Sequence, residues 1–161
     1  MGEHFNAFVE SQKQGVKPDG SYRRKGITTL GAANLREETM HILSHCNPHN
    51  ATSTPETTHL VVGYVQSGKT MSFTGLTALA LDNGYRVVIY LAGTKNNLLN
   101  QTAQRLEKDL IGKNGQNKDY YRLHKDPNPD EAEQIAGHLF LSSHPIILIP
   151  ILKHWKHIDK L

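Results

Sequence analysis

The stretch "HLVVGYVQSGKTMSFTGLTALAL", from His59 to Leu81, decides the interpretation of this sequence. It begins with a short run of β-forming residues, passes through a glycine-bounded loop and continues as helix-forming sequence. The loop from Gly63 to Thr70 matches the pattern G-x-x-x-x-G-K-[ST] at every position. A strand, such a loop and a helix in this order predict a site that binds phosphate groups.

The residue types of this loop explain how it would bind a triphosphate. Glycines allow successive backbone N–H groups to point toward phosphate oxygens, and the following helix adds the positive end of its dipole. Lys69 would reach the β- and γ-phosphates, and the Thr70 hydroxyl would ligate Mg²⁺. The expected cofactors are therefore ATP and Mg²⁺. A chance match to a short motif is the alternative, and the strand and helix on either side argue against it.

The rest of the chain alternates between strand-like and helix-like segments. Apolar runs predict strands and helical spacing of apolar residues predicts helices. The predicted elements are a strand at 58–64, a helix at 69–82, a strand at 85–93, a helix at 96–112, a short helix at 131–141, a strand at 144–152 and the start of a helix at 153–161. The segment 85–93 is apolar almost throughout, which is typical of a strand covered on both faces. This alternation predicts βαβ units and a parallel sheet.

The first third of the chain is predicted to be an extension of a different character. Residues 1–33 are polar and rich in glycine, which indicates loops and turns. A helix is expected at about 35–46, with Asn34 as its N-cap. Its buried face would consist of Leu35, Met40, Ile42 and Leu43. The predicted organisation is an extension at 1–56 followed by one domain at 57–161.

Composition narrows the class of protein. Hydrophobic residues make up 37% of the 161 residues and charged residues 20%, with a net charge of +3, which is typical of a globular domain. The mild positive charge permits a nucleic-acid partner without requiring one. Cys46 is the single cysteine, which excludes an internal disulfide and favours the reducing cytoplasm. No apolar run is long enough to span a bilayer, so no membrane association is expected.

Two segments carry a resemblance to a known family. "RVVIYLAG" followed by "TKNNLLNQTAQRL" resembles the second signature of superfamily 2 DEAD/DEAH-box helicases, a strand, a small-residue turn and a helix. More narrowly, residues 34–111 resemble the ATPase core of a bacterial group of helicase-like proteins of the endonuclease or restriction-motor type. The resemblance implies a three-layer α/β RecA-like P-loop NTPase domain with a parallel sheet. It also implies an ATP-dependent helicase or translocase that acts on nucleic acid, with DNA favoured.

The resemblance also assigns roles to residues. It places Gly63, Gln66, Ser67, Gly68, Lys69 and Thr70 at the triphosphate, with Lys69 and Thr70 taking part in catalysis. It places Thr94, Lys95, Asn96, Asn97 and Gln101 against the nucleic-acid backbone. Helix capping by Asn96 and Asn97 is an equally good interpretation. Gln101 is equally consistent with a solvated helix face.

Two parts of such a motor are not found in the sequence. Hydrolysis needs an acidic pair after a strand, to hold Mg²⁺ and activate water, and a second RecA-like domain. Asp130-Glu131 follows proline and asparagine, and therefore indicates a helix start. The chain is therefore expected to be an N-terminal part of a motor that hydrolyses ATP poorly and works with further motor or nuclease domains.

Three other interpretations remain open. A nucleotide or small-molecule kinase shares the loop, although its expected arginine-rich lid is represented only by Arg122 in 112–145. A non-catalytic nucleotide-binding module is the second. The third is a zinc site at His41, His45, Cys46 and His49, for which ordinary histidines at a helix end are the better interpretation.

Overall fold

The computed structural model describes residues 2–13, 26–48, 50–52, 58–62, 69–112, 115, 117–154 and 158. It is an α/β structure that divides into two compact units, Met1–Gly84 and Tyr85–Leu161. The first contains helices and the second a small parallel sheet with helices. No described helix is long and apolar enough to cross a membrane.

The first unit begins with a helix where the sequence predicted loops. Helix α1 spans Glu3–Gln12 and buries Phe5, Phe8 and Val9. These positions are separated by three and four residues, so they share one face of a helix. Asp82 accepts hydrogen bonds from the backbone N–H groups of His4 (3.1 Å) and Phe5 (2.9 Å) and so caps the first turn. The cap comes from far along the chain, and no local pattern indicates it.

Helix α2 exists as predicted but begins earlier. It spans Thr29–Ser44, and its N-cap is Thr28, which accepts a hydrogen bond from the N–H of Gly31 at 3.1 Å. The prediction that Asn34 caps this helix at about 35–46 was wrong, because a threonine six residues upstream supplies the cap. Its buried residues are Ala32, Leu35 and Thr39, whereas Met40 is 45% exposed.

Helix α3 spans Lys69–Asp82, as predicted. It ends at Asn83, whose N–H donates to the carbonyls of Leu79 and Ala80, and at Gly84, which has a φ of +83°. At its centre Gly75 meets both other helices. A Cβ at this position would lie 3.1 Å from Phe8 Cε1 and 3.5 Å from Thr39 Cγ2. The missing side chain is therefore what allows α3 to approach α1 and α2 closely.

Gly75→Leu is expected to lower the free energy of unfolding of the first unit by about 1–3 kcal/mol, the usual cost of overpacking. Gly137→Leu is the matched control, because a Cβ there has nothing within 4 Å. At that helical position the loss of glycine should be neutral or stabilising by about 0.5–1 kcal/mol. Urea denaturation of both variants measures the difference. Equal effects would contradict the close approach at Gly75.

The predicted strand at 58–64 was wrong over its described part. Residues 58–62 belong to no strand, and Leu60 and Val62 are 88% and 83% exposed. A run of β-forming residues becomes a strand only where another strand pairs with it, and no described residue does so here. Residues 63 and 64 lie outside the described residues.

The second unit contains three parallel strands. They are β1 (Val87–Leu91), β2 (Tyr121–Leu123) and β3 (Ile146–Ile151), in the spatial order β1-β3-β2. The central strand β3 is buried at every position. The parallel pairing was predicted, whereas β2 was not, because only three residues of a polar segment form it.

Two helices cover the sheet. Helix α4 spans Asn96–Leu106, continues as a π-helical turn at Glu107–Ile111 and ends at Gly112, which has a φ of +81°. It buries Leu99, Ala103 and Leu106 and packs against β3. Helix α5 spans Ala132–His138 after a 3₁₀ turn at Pro129–Glu131.

The prediction that β1 is buried on both faces was wrong. Its residues Val87, Ile89 and Leu91 are 44%, 47% and 51% exposed and pair in register with Ile147, Ile149 and Ile151 of β3. Ile135 and Leu139 pack against those three isoleucines and so cover β3. The exposed side chains of β1 show that α5 covers the central strand β3 and leaves β1, at the edge of the sheet, partly open to solvent.

Candidate functional site

The described part of the candidate phosphate site is the start of α3. Gly63, Gln66, Ser67 and Gly68 lie outside the described residues, so their predicted contacts stay predictions. Lys69 and Thr70 are the first two residues of α3. The Thr70 carbonyl accepts a hydrogen bond from the Thr74 hydroxyl at 2.9 Å, one turn further along the helix. Lys69, the lysine of the motif, is where the described part of this helix starts.

The candidate nucleic-acid residues lie together at the start of α4, in the second unit. Thr94 and Lys95 form the turn after β1, Asn96 and Asn97 are the first two residues of the helix, and Gln101 lies one turn further on. All five are exposed.

The geometry removes one interpretation of the two asparagines. The N-cap of α4 is Lys95, so Asn96 and Asn97 are helical residues and not caps. A lysine side chain carries only donors and cannot accept a hydrogen bond from the first N–H groups of a helix. The helix therefore begins with positive partial charge and a cationic side chain at the same end.

A glycine shapes the turn that leads into this helix. Gly93 has a φ of +93°, and a Cβ there would lie 2.9 Å from Leu98 Cδ1. Only glycine adopts this backbone conformation without strain. The Gly93 carbonyl also accepts a hydrogen bond from the N–H of Lys153 at 2.7 Å. The small-residue turn noted in the sequence is therefore a structural requirement of the second unit.

Gly93→Ala is expected to destabilise the second unit by roughly 1–3 kcal/mol, because it adds backbone strain and a clash with Leu98. Thermal unfolding followed by circular dichroism measures the change. Gly137→Ala is the control, since that glycine lies in open space. An unchanged melting temperature for Gly93→Ala would show that the turn tolerates a side chain.

A shallow groove next to the candidate nucleic-acid residues was not predicted. It encloses about 270 Å³ and is lined by Asn100, Ala103, Gln104, Glu107, Leu123 and Lys125. Lys125 donates from Nζ to Asn100 Oδ1 over 3.1 Å. No sequence pattern predicts this groove, because it depends on the unpredicted strand β2, which ends beside α4.

The acidic pair Asp130-Glu131 lies at the start of a helical segment, where Glu131 has a structural role. Glu131 and Asn128 form a reciprocal capping box at the start of the 3₁₀ turn, with Asn128 N to Glu131 Oε1 at 3.0 Å. The expectation that Asp130-Glu131 marks a helix start is confirmed. The residues that directly follow the central strand β3 are Leu152, Lys153 and His154, so no acidic pair stands at that position.

The histidines at the end of α2 form ring contacts. The centroids of His41 and His45 are 4.6 Å apart, and those of His45 and His59 are 5.9 Å apart. His45 Nδ1 lies 2.8 Å from the His41 carbonyl oxygen, a contact typical of a helix end. Within the described ranges no group of three or more His, Cys, Asp or Glu residues could hold a metal ion. His49 lies outside the described residues.

Comparison with known proteins identifies no relative: no family model, no curated protein and no solved structure matches the chain.

Proposed function

We propose that this chain is the ATP-binding part of an ATP-dependent nucleic-acid motor, a helicase or a restriction-type translocase, with DNA as the favoured track. The observation that carries the proposal is the complete G-x-x-x-x-G-K-T sequence at 63–70 with helix α3 beginning at Lys69. A helix N-terminus behind a glycine-bounded loop favours negative charge. The proposed ligand is therefore a nucleoside triphosphate with Mg²⁺ held by Thr70.

The second unit supports the nucleic-acid half of the proposal. Thr94, Lys95, Asn96 and Asn97 present a cation, small polar side chains and a helix N-terminus on one exposed surface. Such groups contact phosphates and sugars without reading the base sequence, as a translocating motor requires. The groove beyond Gln101 is lined by Asn100 and Gln104 of the same helix and by Lys125, which follows β2. Glu107 lines it as well, so Lys125 is its cationic group beside one carboxylate.

The acidic pair that would activate water is not among the residues after β3. We therefore propose that this chain binds ATP but hydrolyses it slowly or not at all. Further motor or nuclease domains would be its functional partners. The single cysteine is consistent with work in the cytoplasm.

The proposal is tested by separating nucleic-acid binding from nucleotide binding in the full chain. The double variant Lys95→Ala/Asn97→Ala is expected to weaken binding to single-stranded oligonucleotides by tenfold or more and to reduce the salt dependence of that binding by about one ion. Its affinity for MgATP should stay within about twofold. Fluorescence anisotropy with a labelled oligodeoxynucleotide and with a labelled oligoribonucleotide measures the oligonucleotide affinity and compares DNA with RNA.

The matched control is Lys118→Ala, which removes one exposed lysine elsewhere in the same unit. It should change oligonucleotide binding by less than about twofold. If the control and the double variant weaken binding equally, the contact is non-specific attraction to a basic protein. If the unaltered chain binds neither oligonucleotide, the motor proposal is wrong. Binding of MgATP is a separate measurement and decides the nucleotide-binding part of the proposal.

A further inference from the structure

Two histidines in the second unit share a short contact that the proposed motor function does not use. His124 Nε2 and His138 Nδ1 are 3.1 Å apart, and the ring centroids are 5.1 Å apart. His124 directly follows β2, and its backbone N–H donates to the Leu148 carbonyl of β3 at 2.9 Å. His138 is the last residue of α5. The contact therefore joins the end of a strand to the end of a helix.

This contact depends on the protonation of both rings. A neutral imidazole has one donor and one acceptor nitrogen, whereas a protonated imidazole has two donors. A hydrogen bond between the two nitrogens exists when one carries hydrogen and the other does not. A first proton taken up by the pair preserves this arrangement, and a second proton places two donors and two positive charges against each other.

The surroundings oppose the second proton. Burial lowers the pKa of His124 below its ordinary value of 6.5, His138 and Arg122 lower it further, and Glu131 raises it. His138 lies on α5, Arg122 on β2 and Glu131 on the 3₁₀ turn. Strand β3, whose Leu148 carbonyl accepts from the His124 backbone N–H, consists of isoleucine, leucine and proline and carries no titratable side chain. Because the folded-state pKa of His124 lies below its unfolded value, the folded state loses stability as the pH falls below about 6.5.

We propose that the His124–His138 pair is a proton-sensitive latch that holds α5 on the sheet at neutral pH and releases it in mild acid. Release would separate Ile135 and Leu139 from the isoleucines of β3 that they cover. The segment that follows α5 has a second contact of the same kind. Arg86 Nη1 lies 3.0 Å from His144 Nδ1, and an arginine can only donate, so the histidine nitrogen must accept.

The latch is tested by amide hydrogen exchange of the full chain between pH 7.5 and 5.5. Two backbone amides report the opening of α5. The N–H of Leu139 donates to the Ala136 carbonyl, and the N–H of Phe140 donates to the Gly137 carbonyl, at the C-terminal end of this helix. The measured rates are first corrected for the intrinsic pH dependence of exchange. The protection of these two amides is then expected to fall by about tenfold for each unit by which the pKa of His124 in the folded state lies below its value in the unfolded state. The amides of Ile147 and Ile149 in β3 should keep their protection. Uniform loss across the unit, or no loss at α5, would overturn the proposal.

The variant His138→Asn provides the decisive comparison. An asparagine amide reaches the position of Nδ1 and can donate or accept at any pH in this range. Its α5 protection is expected to fall less between pH 7.5 and 5.5 than that of the unaltered chain, because the substitution removes the His138 contribution and leaves the burial of His124 in place. An equal fall in both proteins would overturn the latch. His41→Gln, in the first unit, should behave as the unaltered chain does. If His138→Asn does not fold, imidazole ¹⁵N titration of the unaltered chain replaces it. A pKa of His124 below the ordinary histidine value is then expected, and a His124 pKa at or above that value would overturn the latch.

Discussion

Lys69→Ala is expected to abolish measurable binding of MgATP. In the proposed site this ammonium meets the β- and γ-phosphates, where the ligand carries most of its charge. Removal of one partner of a close, desolvated charge pair costs about 2–5 kcal/mol, which lowers the affinity by roughly 30-fold to several thousandfold. Isothermal titration calorimetry with MgATP measures this loss directly.

The control for this variant is Lys108→Ala, which removes an exposed lysine from the π-helical turn of the second unit. It has the same effect on net charge and should leave the affinity unchanged within about twofold. Lys69 is the first residue of α3, so its substitution should also leave the fold of the first unit intact. Unaltered ATP binding by Lys69→Ala would show that the motif at 63–70 is a chance match.

Arg86→Ala is expected to produce the largest loss of stability in the second unit. Its guanidinium donates from Nε to the Pro145 carbonyl at 3.1 Å and from Nη2 to the Leu139 carbonyl at 3.0 Å. It thereby fixes the connection between α5 and β3 to the start of β1. Hydrogen bonds from charged donors contribute about 1.5–3 kcal/mol each, so the loss of both is expected to decrease the free energy of unfolding by roughly 3–6 kcal/mol.

Arg86→Lys separates charge from geometry. A lysine keeps the positive charge but cannot donate in the fixed fork that reaches two carbonyls at once. It is expected to restore less than half of the stability lost in Arg86→Ala. Full restoration, measured by urea denaturation at neutral pH, would show that the charge and not the guanidinium geometry matters.

Local sequence signals predicted the elements that are defined by local chemistry. Helix α3 was predicted with its bounds, since the motif indicates its start and Asn83-Gly84 its end. The strands at 87–91 and 146–151 were predicted from apolar runs, and the start of α4 from the small-residue turn before it. In each case the residues that determine the element are adjacent in the chain.

Most of the errors came from contacts between distant residues, whereas the wrong cap of α2 was a local error, because Thr28 lies six residues before Asn34. Helix α1 depends on a cap from Asp82, and β2 exists because the buried strand β3 pairs with it. The segment 58–62 has β-forming residues and remains outside any strand. The groove at Asn100 and Lys125 and the contact of His124 with His138 join elements that no sequence window contains together.

The proposed triphosphate site is tested most directly by comparing ATP with AMP as ligands of the unaltered full chain. A loop that holds the β- and γ-phosphates should bind MgATP at least about a hundredfold more tightly than AMP, because AMP lacks the groups that Lys69 and Thr70 would contact. At a MgATP concentration of one hundred times Kd, the first unit should gain about 2.7 kcal/mol of stability, and AMP at the same concentration almost none. Equal affinity for the two nucleotides, or binding of neither, would contradict the account.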